Sequence, residues 1–333
     1  MVKVAVVILN YNGATYLKQF LPSVQHTKNA EIWVADNAST DDSIAFLKET
    51  FPQVRVVEMA KNNGYAGGYN EALKQIEAEY FVLLNSDVEV THNWIEPIIQ
   101  LMDNDKSVAA CQPKIKSYND KTSFEYAGAA GGFIDKYGYP FCRGRIFDTL
   151  EKDEGQYDDA IEVFWATGAC LFVRSKAYNE VGGLDADYFA HMEEIDLCWR
   201  LKNAGYKIMC EPKSVVYHVG GATLKKSNPY KTYLNFRNSL FTIVKNHPRN
   251  GMFYVILIRL LLDGVAGVKF LLNGEIKNTL AIIKAHFSFY GAFNSMMKKR
   301  KKHSRLPSKI YQFSIVYQYY FRGIKKYSEL FVT

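Results

Sequence analysis

Val4-Ala5-Val6-Val7-Ile8-Leu9 runs without a polar break and is followed at once by Asn10-Tyr11-Asn12-Gly13, which ends in a turn signal. A strand that is apolar at consecutive positions, rather than alternate ones, has both faces covered, as in a parallel sheet between layers of helices. The residues that follow extend the pattern. Leu17, Phe20, Leu21 and Val24 recur at helical spacing, residues 32–35 read as a second strand, and Ser39 to Asp42 reads as a helix start with acids in its first turn. Strands at 54–57, 80–84 and 108–111 alternate with helices at 68–76 and 94–102. The alternation predicts an α/β fold with a mainly parallel, Rossmann-like sheet flanked by helices.

Between 114 and 160 the pattern is broken by Gly, Asp and Tyr, which reads as an irregular excursion. Strand signals return at 162–165 and 170–173, a helix at 196–204, and short strands at 207–210 and 215–217. Charge then changes sign. Residues 229–333 carry 18 Lys and Arg against Asp263, Glu275 and Glu329, whereas the first 228 residues carry 23 basic and 31 acidic side chains. Two regions are expected, a catalytic domain over 1–228 and a mostly helical, basic region over 229–333. The five cysteines include no C-x-x-C pair, which argues against a disulfide framework or structural zinc and suits a reducing cytosol. Met1-Val2-Lys3 leads straight into the first strand, so no signal peptide is expected.

Ligands of open parallel sheets bind beyond the carboxyl ends of the strands. The polar residues here collect at those ends: Asn10, Tyr11 and Asn12 after the first strand, Asp36 and Asn37 after the second, and Asn85, Ser86 and Asp87 after the fourth. Asn62-Asn63-Gly64-Tyr65-Ala66-Gly67-Gly68 follows the third. Tyr11 suits stacking on a base, and Asp36 suits accepting from an imide N–H or a ribose hydroxyl. The glycines let backbone approach an anion before a helix, although the loop is not G-x-G-x-x-G. Asp87 is either a ligand for a hard divalent cation on a diphosphate or a cap for the next helix. Tyr188-Phe189-Ala190-His191-Met192-Glu193-Glu194-Ile195-Asp196 places three carboxylates ahead of a helix, as a general base requires, or as the helix dipole favours. Asp196 and Arg200 stand at i,i+4 and suit a simple pair. His218 ends another strand, as a neutral metal ligand or a structural histidine.

In order along residues 3–240, these segments resemble family 2 glycosyltransferases of the GT-A fold, especially their rhamnosyltransferase-like branch. The residues that carry the resemblance are Val6 to Gly13, Val34 to Asp41, Asn63 to Asn70, Leu84 to Asp87, Thr167 to Cys170, Glu193 to Arg200 and Tyr217 to Gly221. The resemblance implies a nucleoside pocket lined by Asn10, Tyr11, Asp36 and Asn37, with Asn63, Gly64 and Gly67 nearby. It implies that Asn85-Ser86-Asp87 is the D-x-D-type motif, that Asp87 and His218 hold Mn²⁺ or Mg²⁺, and that Glu194 is the base, with Glu193 its rival and Asp196 beside them. Trp199 and Arg200 fall on its substrate side. Two positions depart from the family pattern: Glu194 stands for the commoner Asp, and Asn85 for the first Asp of the motif.

The implied reaction is an inverting transfer from a dTDP- or UDP-linked sugar, rhamnose first, to a saccharide or lipid-linked saccharide of the cell surface. A sugar-phosphate nucleotidyltransferase shares a similar sheet but would carry a Gly-rich loop with Arg where Asn10-Tyr11-Asn12-Gly13 stands. A non-catalytic nucleotide-sugar-binding subunit is the other alternative. In the tail, residues 252–272 are apolar apart from Arg259, Asp263 and Lys269. Each such charge costs about 2.5–3.5 kcal/mol at a bilayer centre. A helix lying in the interface is therefore expected, with Lys298 to Lys302 facing anionic lipid on the cytoplasmic side of a membrane. A helical domain packed on the core with a solvated basic face is the alternative, and nucleic acid is not an expected partner.

Overall fold

The computed structural model describes residues 2–220, 228–301 and 306–331. Gly221 and Lys302 lie outside them. Strand β1 (Val2–Asn10) is buried from Val4 to Ile8 and pairs in parallel with β2 (Ala30–Asp36) on one side and β4 (Ala78–Asn85) on the other. β3 (Arg55–Glu58) continues the parallel run beyond β2. Helices α1 (Ala14–Val24), α2 (Ser43–Thr50), α3 (Gly64–Leu73) and α4 (Glu96–Asn104) connect these strands and lead to β6 (Val108–Ser117), with the short β5 (Val88–Val90) before α4. The sheet register brings strand ends level: Asn10 stands opposite Asp36, and Leu9 opposite Asn85.

The larger sheet is mixed, in the order β11-β13-β6-β12-β4-β1-β2-β3 with β5 against β13. Its antiparallel members are β5, β11 (Ile161–Val163) and β12 (Cys170–Arg174), and β12 slots between β4 and β6. The two short strands expected at 207–210 and 215–217 are one strand, β13 (Lys207–His218), with a register shift between Glu211 and Val215. Residues 114–160 are not irregular. They extend β6 and then form β7 (Gly132–Asp135), β8 (Pro140–Cys142), β9 (Arg145–Ile146) and β10 (Thr149–Leu150) of a second sheet. Its fifth strand, β14 (Ile310–Tyr311), pairs with β7. Strands of two to four residues carry too few positions for a period to be read, and nothing local announces a partner from so far along the chain.

After β12 come α5 (Ser175–Glu180), α6 (Glu193–Asn203) and, beyond β13, α7 (Pro229–Asn246), α8 (Arg249–Leu272) and α9 (Ile276–Lys299), with α10 (Ile315–Tyr320) after β14. α6 starts three residues before the expected 196 and α3 four before the expected 68. α8 breaks at Asn250 and Gly251 and then pairs with α9 as an antiparallel hairpin. Phe253 meets Phe293, His286 Nε2 lies 3.2 Å from Asp263, and Thr279 donates to the carbonyl of Gly267. Among the described residues no helix is long and apolar enough to cross a membrane.

The basic run ending α9 departs from expectation. Lys299 binds Asp185 and Asp187 at 2.6 and 2.7 Å, and Arg300 donates to the carbonyls of Val244 and His247. Two of the cations assigned to lipid thus fasten α9 to the loop before α6 and to the end of α7, because carboxylates and free carbonyls there offer better partners than water.

Candidate active site

The first polar cluster closes on itself across β1 and β2. Asn10 Nδ2 donates to Asp36 Oδ1 (2.9 Å) and to Ser39 Oγ (3.1 Å), and the other oxygen of Asp36 accepts from Ser39 N (2.9 Å). Asn37 links this cluster to the glycine loop: its Nδ2 donates to Asn62 Oδ1 and the Gly64 carbonyl, and its Oδ1 accepts from Asn63 N. Asn10, Asp36 and Asn37 are buried, while Tyr11 stands about half exposed above them. Asn10 Oδ1 is buried with no hydrogen-bond partner. An orphaned buried acceptor costs about 1–3 kcal/mol.

Asn63 Nδ2 is held by Glu71 (2.5 Å), which fixes the loop from below. Gly64 has φ +68°, and a Cβ there would lie 2.6 Å from both the ring and the carbonyl oxygen of Phe189. That same carbonyl accepts from Tyr65 N (2.7 Å), so the loop after β3 and the segment before α6 are locked together. A Cβ on Gly67 would meet Asn63 Cβ at 2.9 Å. Gly64→Ala is therefore expected to lower stability by about 1–3 kcal/mol through strain at positive φ, and to weaken nucleotide binding. Chemical denaturation and nucleotide titration of the variant check both effects.

At the end of β4, Asn85 and Ser86 are half-buried and Asp87 is buried. Asn85 Nδ2 is 3.4 Å from His218 Nε2, and Asp87 Oδ1 is 3.2 Å from the same nitrogen. The other ring nitrogen, Nδ1, lies 3.1 Å from Glu125 Oε2. Burial opposes charge on this imidazole, but Asp87 and Glu125 outweigh it and raise the pKa to about 10. Sequence reasoning missed Glu125. It sits between Phe124 and Tyr126 in the excursion, and no motif marks it. Among the described residues no group of three or more His, Cys, Asp or Glu is placed to hold a metal ion. Asp87 and His218 are a pair, with Glu125 in the orienting position that commonly backs a ligating histidine.

The segment before α6 is strained. Phe189, His191 and Met192 all have positive φ, at 64°, 68° and 73°. Asn238 on α7 holds it, donating to the carbonyls of Tyr188, Ala190 and His191. Strain retained by neighbouring structure is a mark of functional segments. Burial lowers the pKa of His191 to about 4, so its imidazole is neutral, and Nε2 has no partner. Glu193 is buried and Glu194 half-buried, each with an unpartnered carboxylate oxygen. Burial raises the pKa of Glu194 to about 7, against the backbone N–H groups that lower it, and raises Glu193 further, with the Glu194 charge adding to the effect.

Three residues of this stretch lie away from the site. Asp196 is wholly buried and accepts from Arg200, Lys245 and Asn246, each at 2.8 Å, so it has no reach to a substrate. Arg200 spans from Asp196 to the carbonyl of Val181, and Trp199 packs edge-on against Phe164 in the core. Asp196 and Arg200 stand three and seven positions after Glu193, on the same helix face, but one and two turns farther along, where Lys245 and Asn246 of α7 cover Asp196. In this structure Asp196 and Trp199 are buried and Arg200 is engaged with Asp196 and the Val181 carbonyl, so none of the three faces the strand-end cluster.

The mixed sheet with polar strand ends on one edge, joined through Phe189 to an acidic helix start, has the architecture of a GT-A enzyme. Residues 5–182 match the family described as Glycosyl transferase family 2, and the chain belongs to that family. It is 27% identical over 233 residues to an N-acetylglucosaminyl-diphospho-decaprenol L-rhamnosyltransferase of Mycobacterium tuberculosis, covering 64% of this chain and 75% of the relative. It is 24% identical over 229 residues to rhamnosyltransferase WbbL of Escherichia coli, covering 65% and 83%. Among solved structures, the mannosyltransferase PcManGT of Pyrobaculum calidifontis, in complex with GDP-Man and Mn²⁺, superposes with TM-score 0.55 at 14% identity, over 86% of this chain and 87% of that one. S. aureus TarS 1-349 with UDP-GlcNAc does so with TM-score 0.55 at 16% identity, over 90% and 84%. These likenesses show the fold.

Proposed function

We propose that this glycosyltransferase moves a sugar, rhamnose first among the candidates, from a dTDP- or UDP-linked donor to a lipid-linked saccharide, with inversion at the anomeric carbon. The observation that carries this reading is the edge cluster of Asn10, Asp36 and Asn37, in which buried Asn10 Oδ1 has no partner and the next residue, Tyr11, is half exposed. A pyrimidine N–H is a fitting partner for that oxygen, and Tyr11 a fitting platform for the ring. The names of the relatives support the choice of rhamnose and of a polyprenyl diphosphate-linked acceptor.

Glu194 takes the proton of the acceptor hydroxyl. The acceptor oxygen then bonds to the anomeric carbon as the bond to the diphosphate breaks, and the nucleoside diphosphate leaves. Glu194 is favoured over Glu193 because it is the less enclosed of the two, and its pKa of about 7 keeps it able to take up and release a proton near neutrality. Asp87 and His218, the latter giving up its proton, would hold a divalent cation. When bound, Mn²⁺ or Mg²⁺ would neutralise charge on the leaving group. Glu125 orients His218 for this role. The division at 228/229 is proposed as catalytic domain and docking region, with the enzyme peripheral on the cytoplasmic face of a membrane, where lipid-linked acceptors are met.

Thermal unfolding against dTDP, UDP, GDP and ADP, each with Mn²⁺, Mg²⁺ or EDTA, tests the donor site. A ligand at 100 times its dissociation constant stabilises by about 2.7 kcal/mol, a shift of several degrees in a protein of this size. The expected result is a metal-dependent shift with dTDP or UDP and little with ADP. Folded protein that shifts with no nucleotide would instead be a non-catalytic relative of the family.

A further inference from the structure

Helix α8 is inside out. Its two central charges point inward: Arg259 is 3% exposed and Asp263 0%. Arg259 donates to the carbonyls of Tyr137 and Gly138 on the second sheet and to Ser239 on α7, with its guanidinium 3.8 Å from the centre of the Tyr139 ring. Asp263 meets His286 of α9 and the Tyr139 hydroxyl. The outward stripe is Phe253, Leu257, Leu261, Val265, Val268 and Leu272, each more than half exposed and spaced three or four apart. α9 adds Ile276, Leu280, Ile283, Phe287 and Tyr290 at the same period, with Phe287 at 71%. Soluble monomers rarely expose a continuous apolar surface two helices wide, and a water-facing helix puts its charges outward.

We propose that the α8–α9 hairpin is a monotopic seat, embedded by this face in one leaflet of an anionic phospholipid bilayer. Charge decides for lipid over a protein partner. The only acids between residues 249 and 299 are buried Asp263 and Glu275 at the hairpin turn, while exposed Lys269, Lys277 and Lys284 each directly follow an exposed apolar residue. These lysines flank the stripe where headgroup phosphates would lie. Lys269 also stands over the ring of Tyr320 (4.9 Å), which joins the exposed aromatics of α10, Tyr317 and Phe321 among them, to the same surface. The inward charges fasten the hairpin to α7 and the second sheet, so the seat fixes the orientation of the catalytic domain over the lipid. This deepens the peripheral placement proposed above and differs from attachment by the basic run alone.

The test is flotation of the full chain with vesicles of phosphatidylcholine, alone or with phosphatidylglycerol, at low and high salt, with molar mass in solution measured in parallel. Wild type is expected to float with the anionic vesicles and stay bound in high salt. The exposed-face variant Leu257→Ser/Leu261→Ser/Val265→Ser is expected to lose about tenfold or more of its partitioning. Its nucleotide-induced thermal shift stays at the wild-type value, which separates loss of the seat from loss of the fold or donor site. Lys269→Glu/Lys277→Glu/Lys284→Glu is expected to lose the preference for anionic lipid. A serine variant that floats like wild type, binding abolished by salt alone, or wild type that remains in solution would overturn the proposal. So would a wild-type dimer that the serine variant splits, since the face would then join two copies.

Discussion

Glu194→Gln lowers kcat by about 10²–10⁴-fold, the usual contribution of a positioned general base, and leaves the nucleotide-induced thermal shift intact. The amide keeps the size and burial of the side chain but cannot accept the acceptor's proton. Glu193→Gln is the control. It is the more enclosed of the two, and a smaller loss of kcat is expected from it; a full loss there with Glu194→Gln still active would exchange their roles. The pH profile gives a second readout. A base must be deprotonated, so kcat rises as pH climbs through about 7, the value to which burial raises Glu194. That limb is absent from whatever activity the glutamine variant retains. Stability moves the other way. Between the unfolded carboxyl's value near 4.5 and the folded value near 7, the folded state holds the extra proton, so wild type loses stability as pH rises across that window. Glu194→Gln flattens the slope.

Asp196→Ala has a large effect of a different kind, a loss of stability of about 3–5 kcal/mol, as expected when one member of a buried ion network is removed. Asp196 is enclosed among Arg200, Lys245 and Asn246, and Lys245 is itself buried and shared with Asp185. Removing the carboxylate leaves two cations in a site from which water is excluded. It also loosens α7 from α6, and with it the grip of Asn238 on the strained segment before Glu193. Denaturant unfolding reads the loss. Although burial works against ionisation, Arg200 and Lys245 hold the carboxyl well below its ordinary range. The contribution is therefore complete above about pH 4 and fades as pH falls towards the lowered value. The difference between wild type and variant should shrink in acid.

The sheet edge was legible because it obeys local rules. An uninterrupted apolar run marks a covered strand, and polar residues gather at four strand ends, so Asn10, Asp36, Asn37, Asn85 and Asp87 could be placed at the carboxyl ends of β1, β2 and β4 from spacing. What spacing does not supply is rotation and distance. Asp196, Trp199 and Arg200 stand within seven residues of Glu194, yet none of them faces the strand-end cluster, and the partners that neutralise Asp196 come from α7. Glu125 was missed for the converse reason: its neighbour His218 is far away in sequence, and they meet only because β13 pairs with β6 and residues 124–125 fold back against β6. The second sheet escaped because its strands, two to four residues long, carry too few positions for a period to be read. In α8 the sequence shows an apolar helix with two misplaced charges, and only tertiary contacts reveal that these charges are its buried side.

The pairing of β14 with β7 also sets an order of events in the cell. Asp135, which closes the turn at Tyr137 and Tyr139, also accepts from the backbone of Ile315, and Glu151 accepts from that of Tyr327. A chain synthesised only as far as residue 300 therefore holds every strand of the larger sheet but lacks the fifth strand of the second. Domains generally fold as units, with the N-terminal part first during synthesis. Here a strand from far along the chain completes the second sheet, to whose β7–β8 turn Arg259 fastens the α8–α9 hairpin.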